Sequence, residues 1–105
     1  MKGKAAAFAL AGLLSACTWV HLTPEGEKVR VLDADEVTQC QMLGRTTVSL
    51  AAKIAGIERH PEDVQKELNM LARNSAVDLR GDTVVATSPV ENGKQTFAVY
   101  RCMPQ

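Results

Sequence analysis

The sequence has little of what would suit a chain to bind nucleic acid or to cross a membrane. Aromatic residues make up 4% of its 105 residues, and its 12 Lys and Arg are balanced by 12 Asp and Glu. A nucleic-acid-binding domain normally carries a basic excess, so we expect no nucleic-acid partner. The longest uncharged apolar run has about ten residues, whereas a bilayer core requires about 20. The length suits one domain.

Motifs typical of catalytic and metal sites are also missing. The sequence contains no HExxH, CxxC, P-loop or nucleophile elbow, and its only histidines are His21 and His60. Asp33, Asp35 and Glu36 are close enough to bind a cation weakly. They lack the alternating ligands and the glycine of a calcium loop, which favours a polar turn. We therefore expect no enzymatic activity, no cofactor and no metal site.

The amino terminus has the pattern of a secretory leader. Lys2 and Lys4 precede about ten uncharged residues, Ala5 to Leu14, which is typical of the apolar region of a signal peptide. We predict that residues 1–16 are a signal peptide. Its removal leaves ten basic residues against 12 acidic ones, so the mature chain is slightly acidic.

The end of this leader resembles the bacterial lipobox, an aliphatic residue and two small ones before an invariant cysteine: Leu14, Ser15, Ala16 and Cys17. In lipoprotein precursors the cysteine thiol receives a diacylglycerol, the chain is cut before it, and the new amino terminus is acylated, usually with palmitate. The alternative is an ordinary signal peptide or a buried helix with an incidental cysteine. Thr18, rather than Asp, follows the cysteine, which by resemblance to enterobacterial lipoproteins favours the outer membrane.

Two cysteines remain once Cys17 is assigned to lipid. Cys40 and Cys102 would meet an oxidising compartment in an exported protein, which predicts a disulfide. The alternative is a redox or metal-binding pair, although no CxxC and no neighbouring histidine accompany them. A bridge closing a loop of roughly 60 residues contributes about 4 kcal/mol in the chain-entropy model.

The mature chain divides into a tether, residues 17–27, and a folded domain, residues 28–105. Period-two alternation predicts a strand from Cys40 to Leu50, with Gly44 as a candidate bulge. The other predicted strands are Val29–Leu32, Thr83–Thr87 and Gln95–Cys102, and Asn92-Gly93 predicts a hairpin turn before the last. Residues 51–59 are ambiguous between a loop and a helical turn.

The clearest predicted element is a helix from Pro61 to Arg80, entered through His60 and followed by Gly81 as a left-handed cap. The helical repeat predicts which side chains face the sheet and which face water. We expect the first group to be Leu68, Leu71 and Leu79, and the second to be Lys66, Glu67 and Arg73. The order β-β-α-β-β predicts an α+β fold, with one helix on a small antiparallel sheet of about four strands.

Several short motifs together resemble the YjeI-like family of small enterobacterial envelope lipoproteins of unknown function. Besides the lipobox, they are Val29–Val31, Cys40–Gly44, Leu71–Ala76, Leu79–Val84 and Tyr100–Cys102. The pattern is more distantly similar to the RcsF stress-sensor lipoproteins, which have more cysteines. The resemblance implies the disulfide and an envelope location, but no activity.

These observations predict a lipid-anchored protein on the periplasmic face of the outer membrane. We expect a non-enzymatic module that binds another envelope protein or helps to sense the state of the envelope. The alternative is a periplasmic module that binds a small ligand in a pocket between helix and sheet.

Overall fold

The computed structural model describes residues 20–50, 53–54 and 57–103, so the leader and Cys17 lie outside the described residues. The described part contains one α-helix, two single 3-10 turns and six strands. The 3-10 turns are Gly26–Lys28 and Ala34–Glu36, helix α1 is Pro61–Asp78, and the strands are β1 (Arg30–Val31), β2 (Gln41–Ser49), β3 (Lys53–Ile54), β4 (Ile57–Glu58), β5 (Thr83–Ala86) and β6 (Lys94–Arg101).

The main sheet has the strand order β1-β5-β6-β2. Strand β6 pairs antiparallel with both β2 and β5, while β1 pairs parallel with β5. The predicted α+β fold with the order β-β-α-β-β is therefore confirmed for this sheet. The sheet is mixed rather than purely antiparallel, because the backbone N–H groups of Arg30 and Leu32 donate to the carbonyls of Asp82 and Val84.

The connection from β1 to β2 joins opposite edges of the sheet and must therefore cross one of its faces. Helix α1 occupies the other face, so the 3-10 turn Ala34–Glu36 and the residues around it pass over the face without the helix. Val37, Val85 and Ala98 are buried, 5% or less exposed, but lie outside the core cluster beneath the helix. The sheet thus buries side chains on both faces.

The main core lies between α1 and the sheet. Small residues on the helix, Ala72 and Ala76, let it approach the strands closely, and Leu68 and Phe97 are fully buried. The remaining buried members of this cluster are Val29, Val48, Val64, Val84 and Val99, and Leu43, Leu50, Leu71 and Val77 pack against it.

Strand β2 contains the predicted bulge, between Met42 and Gly44. The extra residue, Leu43, packs against the core, whereas Met42 is 43% exposed. A bulge puts two residues opposite one on the partner strand and so interrupts the period-two alternation. The alternation that predicts the strand is therefore interrupted here, and Leu43 rather than Met42 takes the inward position.

The start of α1 agrees with the sequence prediction, since Pro61 is its first residue and His60 its extended N-cap. Its end differs. Arg80, not Gly81, adopts the left-handed conformation, with φ 61°. The N–H of Gly81 donates to the carbonyl of Ala76 and that of Arg80 to Val77, which is the Schellman arrangement.

Gly81 is needed for a different reason: a Cβ atom there would lie 2.3 Å from Cγ1 of Val99. The helix ends two residues earlier than predicted, and Leu79 is 39% exposed beyond it. Leu79 faces the sheet as predicted, since its Cδ1 would lie 3.6 Å from a Cβ atom at Gly44 of β2, but it is exposed at the margin rather than buried in the core. Within the described residues, no helix combines the length and apolar character required to cross a membrane.

Two turns complete the fold. Asn92 and Gly93 both have positive φ, 53° and 72°, as a type I′ hairpin turn requires, so the predicted hairpin is confirmed. The ambiguous stretch before α1 contains strands β3 and β4, which form a separate two-stranded antiparallel sheet.

The helix packing predicts different costs for two leucine truncations. Leu68→Ala removes a fully buried side chain and should lower the free energy of unfolding by about 2–5 kcal/mol. Leu79→Ala, the same chemical change at an exposed position, should cost much less. Thermal and urea unfolding of the oxidised domain measure both. Equal destabilisation by the two variants would contradict the described packing of α1.

Candidate functional site

Of the predicted site residues, the structure describes the cysteine pair. Cys40 and Cys102 form a disulfide with a Cα–Cα distance of 4.4 Å. Cys40 immediately precedes β2 and Cys102 immediately follows β6, and these strands are antiparallel neighbours. The disulfide therefore ties the end of the connection that crosses the sheet to the carboxyl-terminal end of β6, one of the two inner strands.

The segment assigned to a tether is, from His21 onward, held against α1 by Asn74. The backbone N–H of Thr23 donates to Oδ1 of Asn74 at 3.0 Å, and the Thr23 hydroxyl lies 3.2 Å from the same oxygen. Nδ2 of Asn74 donates to the carbonyl of His21 at 2.8 Å. The Thr23 hydroxyl also accepts from the N–H of Gly26. The segment is irregular and pairs with no strand of the described chain, so the side chain of Asn74 provides hydrogen-bond partners for its backbone groups.

Arg73 extends this attachment by one residue along the helix. Its Nε donates to the carbonyl of Val29 at 2.7 Å, and its Nη2 donates to the carbonyl of Glu27 at 3.0 Å. Arg73 is half-buried, so the prediction that it simply faces water is wrong. We call Thr23, Gly26, Arg73 and Asn74 the N-terminal clamp.

The clamp requires a glycine at its centre. Gly26 is buried, and a Cβ atom there would lie 2.3 Å from Oδ1 of Asn74 and 3.0 Å from the Thr23 hydroxyl. A larger residue would therefore displace the amide that organises the segment. Residues 21–27, which the sequence assigned to the tether, are therefore held against the folded domain.

Glu67 is also less exposed than the helical repeat predicts. Its carboxylate forms an ion pair with Arg59, and its side chain is 13% exposed. The pair joins α1 to the chain just before it. The prediction that Glu67 faces water is wrong because Arg59 covers it, whereas Lys66 is exposed as predicted.

Asp82 holds the carboxyl-terminal end of the described chain. Its carboxylate accepts from the backbone N–H groups of Cys102 at 2.8 Å and Met103 at 2.9 Å, and from the Thr83 hydroxyl at 3.0 Å. Burial alone would raise the pKa of the Asp82 carboxyl. These hydrogen bonds and the charge of Arg30 outweigh burial, so the pKa is lowered from its ordinary value.

The acidic group Asp33, Asp35 and Glu36 is brought together as predicted, with carboxylate oxygens within 4.8 Å of one another. All three are exposed. Asp33 and Glu36 form the capping box of the second 3-10 turn, with the N–H of Asp33 donating to Glu36. The group therefore has the structural role of a polar turn.

Neither histidine belongs to a group of metal-ligating side chains in the described part of the chain. His60 begins the helix as predicted, and His21 contributes its carbonyl to the clamp. Surface depressions lie beside the clamp, where they include Lys28, Val77 and Asp82, and at the start of α1, where they include Pro61 and Val90. The space between helix and sheet is occupied by the core side chains.

The geometry defines a small α+β domain that is closed by one disulfide and begins at a clamped amino-terminal segment. The chain matches the DUF4156 family, a domain of unknown function, over residues 20–102, and it belongs to that family. The match begins at the first described residue of the clamped segment. No curated protein and no solved structure matches the chain significantly.

The clamp predicts that Asn74→Ala releases the amino-terminal segment. The amide protons of Thr23 and Gly26 should exchange severalfold faster, because each lost hydrogen bond contributes about 0.5–1.5 kcal/mol. Hydrogen exchange followed by NMR measures this on the unlipidated domain. Asn69→Ala, a change elsewhere on α1, is the matched control. Unaltered exchange at Thr23 in Asn74→Ala would contradict the clamp.

The lowered pKa of Asp82 predicts a pH-dependent contribution to stability. A carboxyl whose folded-state pKa is depressed stabilises the fold above its unfolded pKa, and that contribution disappears as the pH falls through the folded pKa. Asp82→Asn should therefore destabilise the domain at neutral pH and much less at acid pH. Urea unfolding across this range tests it, with Glu91→Gln as an exposed control. A destabilisation independent of pH would refute the charge-based account.

Proposed function

We propose that the protein is a bacterial envelope lipoprotein, lipidated at Cys17 and attached to the periplasmic face of the outer membrane. Its role is that of a non-enzymatic module that binds another envelope protein or senses the state of the envelope. The proposal rests on one observation: Leu14, Ser15, Ala16 and Cys17 follow a short basic and apolar leader. The YjeI-like resemblance supports the same envelope location.

Lipid attachment would give the protein a stable membrane anchor. Each buried methylene contributes about 0.8 kcal/mol, and a single acyl chain binds only reversibly. The thioether-linked diacylglycerol and the acylated amino terminus together supply three chains, which is sufficient for permanent attachment. Thr18 directly after the lipidated residue supports sorting to the outer membrane.

The disulfide supports an exported location independently of the leader. Disulfides form and persist in oxidising compartments such as the bacterial periplasm, and are rare in the cytosol. Cys40 and Cys102 are bonded across neighbouring strands, as a structural bridge would be. A domain of this size buries only a limited apolar core, so a covalent link adds an important part of its stability.

The use of the polar side chains supports a binding role over catalysis. Arg73, Asn74 and Asp82 donate to or accept from the protein's own backbone. Among the described residues, every buried side-chain nitrogen and oxygen has a hydrogen-bond partner. These groups maintain the shape of the domain, and its surface is then available for a partner.

Labelling of cells with radioactive palmitate tests the anchor. The parent protein should be labelled, and Cys17→Ser should lose the label because only a thiol forms the thioether. The double variant Cys40→Ser/Cys102→Ser is the matched control, since it removes two thiols and keeps Cys17. Equal labelling of the parent and Cys17→Ser would refute lipidation there.

Two further measurements on cells test the membrane location and the binding partner separately. Membrane fractionation should recover the parent with the outer membrane and Thr18→Asp with the inner membrane. Crosslinking in intact envelopes, followed by purification, should recover a specific envelope protein with the parent. Recovery of the protein without a partner, but with a bound small molecule, would favour the ligand-binding alternative.

A further inference from the structure

We infer that the N-terminal clamp holds the domain directly against the membrane that carries its anchor, with the clamp-bearing edge toward the lipid surface. The inference rests on the proposed lipidation of Cys17 and adds an orientation and a contact surface to it. The surface comprises residues 20–24 and the adjacent carboxyl-terminal part of α1. Its partner is the bilayer itself.

The first step is the length of chain between lipid and domain. His21 and Thr23 are already hydrogen-bonded to Asn74. A fully extended chain spans at most about 3.3–3.6 Å per residue, so Cys17 to His21 reaches no more than about 14 Å. If the segment were free as far as the buried residue Val29, the same estimate gives about 40 Å. The clamp thus shortens the free linker between Cys17 and the domain by roughly two thirds.

The second step is where the clamp lies on the domain. Arg73 binds the carbonyl of Val29, the residue before β1, and β1 is one edge of the main sheet. Strand β2 is the opposite edge, three strand spacings away, or about 14 Å. A free linker this short keeps the β1 edge near the lipid and turns the β2 edge away from it.

The third step is the chemistry of the clamped segment. Residues 20–24 include no carboxylate and no lysine or arginine. His21, Thr23 and Pro24 are exposed, and Leu22 is half-buried. This uncharged, partly apolar segment approaches lipid headgroups without the cost of desolvating a full charge, whereas the adjacent helix end has the exposed carboxylate of Asp78.

Fluorescence quenching in vesicles tests the orientation. The naturally lipidated protein, with its anchor verified by mass, is labelled at an introduced cysteine and reconstituted with lipids carrying a nitroxide on the headgroup. Asp78→Cys probes the helix end beside the clamp, and Ser49→Cys probes the far edge of the sheet. Both positions are exposed. We expect severalfold stronger quenching at position 78 than at position 49.

A variant with a longer free linker is the matched control, because the insertion does not change the folded domain. Inserting about twelve Gly and Ser residues between Trp19 and Val20 adds a flexible span of roughly 20 Å. The insertion should remove the difference between the two probes. Asn74→Ala, after circular dichroism has verified its fold, should reduce it. Equal quenching of the two probes in the parent, or an unchanged difference after insertion, would overturn the inference.

The inference and the proposed function fail in different experiments. If Cys17 is not lipidated, the parent and Cys17→Ser will be labelled equally with palmitate. Failure of the clamp appears in hydrogen exchange of the unlipidated domain, where Thr23 would be unprotected. A lipidated protein with an intact clamp and equal quenching at both probes would leave the anchor in place and refute the orientation alone.

Discussion

The close packing of α1 on the sheet is the interaction on which the rest of the structure depends. Ala72 and Ala76 are small and fully buried, so the helix axis lies near the central strands, and Leu68 and Phe97 belong to the same buried cluster. Because the helix is held there, its neighbouring side chains at positions 73 and 74 reach the backbone of the amino-terminal segment. A helix displaced outward by larger residues would not bring Arg73 and Asn74 within hydrogen-bonding distance of that backbone.

Periodicity and turn chemistry predicted the parts of this fold that local sequence determines. The start of α1 at Pro61, the hairpin at Asn92 and Gly93, and the bulge next to Gly44 are each set by neighbouring residues, and all three are confirmed. The disulfide between Cys40 and Cys102 was also predicted, since an exported chain with two remaining cysteines leaves one pairing. The edge position and parallel pairing of β1 were missed, because the two-residue strand itself contains nothing that selects its partner.

The missed contacts have a common physical origin. Glu67 and Arg73 lie on the predicted polar side of α1, but Arg59 and the amino-terminal segment cover them. A helical repeat shows which side chains turn away from the sheet, and it contains no information about another segment packing there. The clamp joins Thr23 to Asn74 across 51 positions, and no local motif connects them. The only sequence signals were that residues 71–76 carried the family resemblance and that Gly26 followed Pro24 in an irregular stretch.

Both ends of the described chain are fastened at the same end of the domain. Asn74 holds the amino-terminal segment one turn before α1 ends, and Asp82, just beyond the helix, binds the backbone of Cys102 and Met103. The disulfide lies at this end as well, since Cys102 follows the last strand. The opposite end includes the start of α1 and the Asn92–Gly93 turn, which is constrained by its own backbone geometry. Under the anchoring that we propose, the clamped segment is the described part of the domain that lies nearest to Cys17 along the chain. The outer edge of β2 and the hairpin end are then the surfaces that a partner can approach without displacing the clamp.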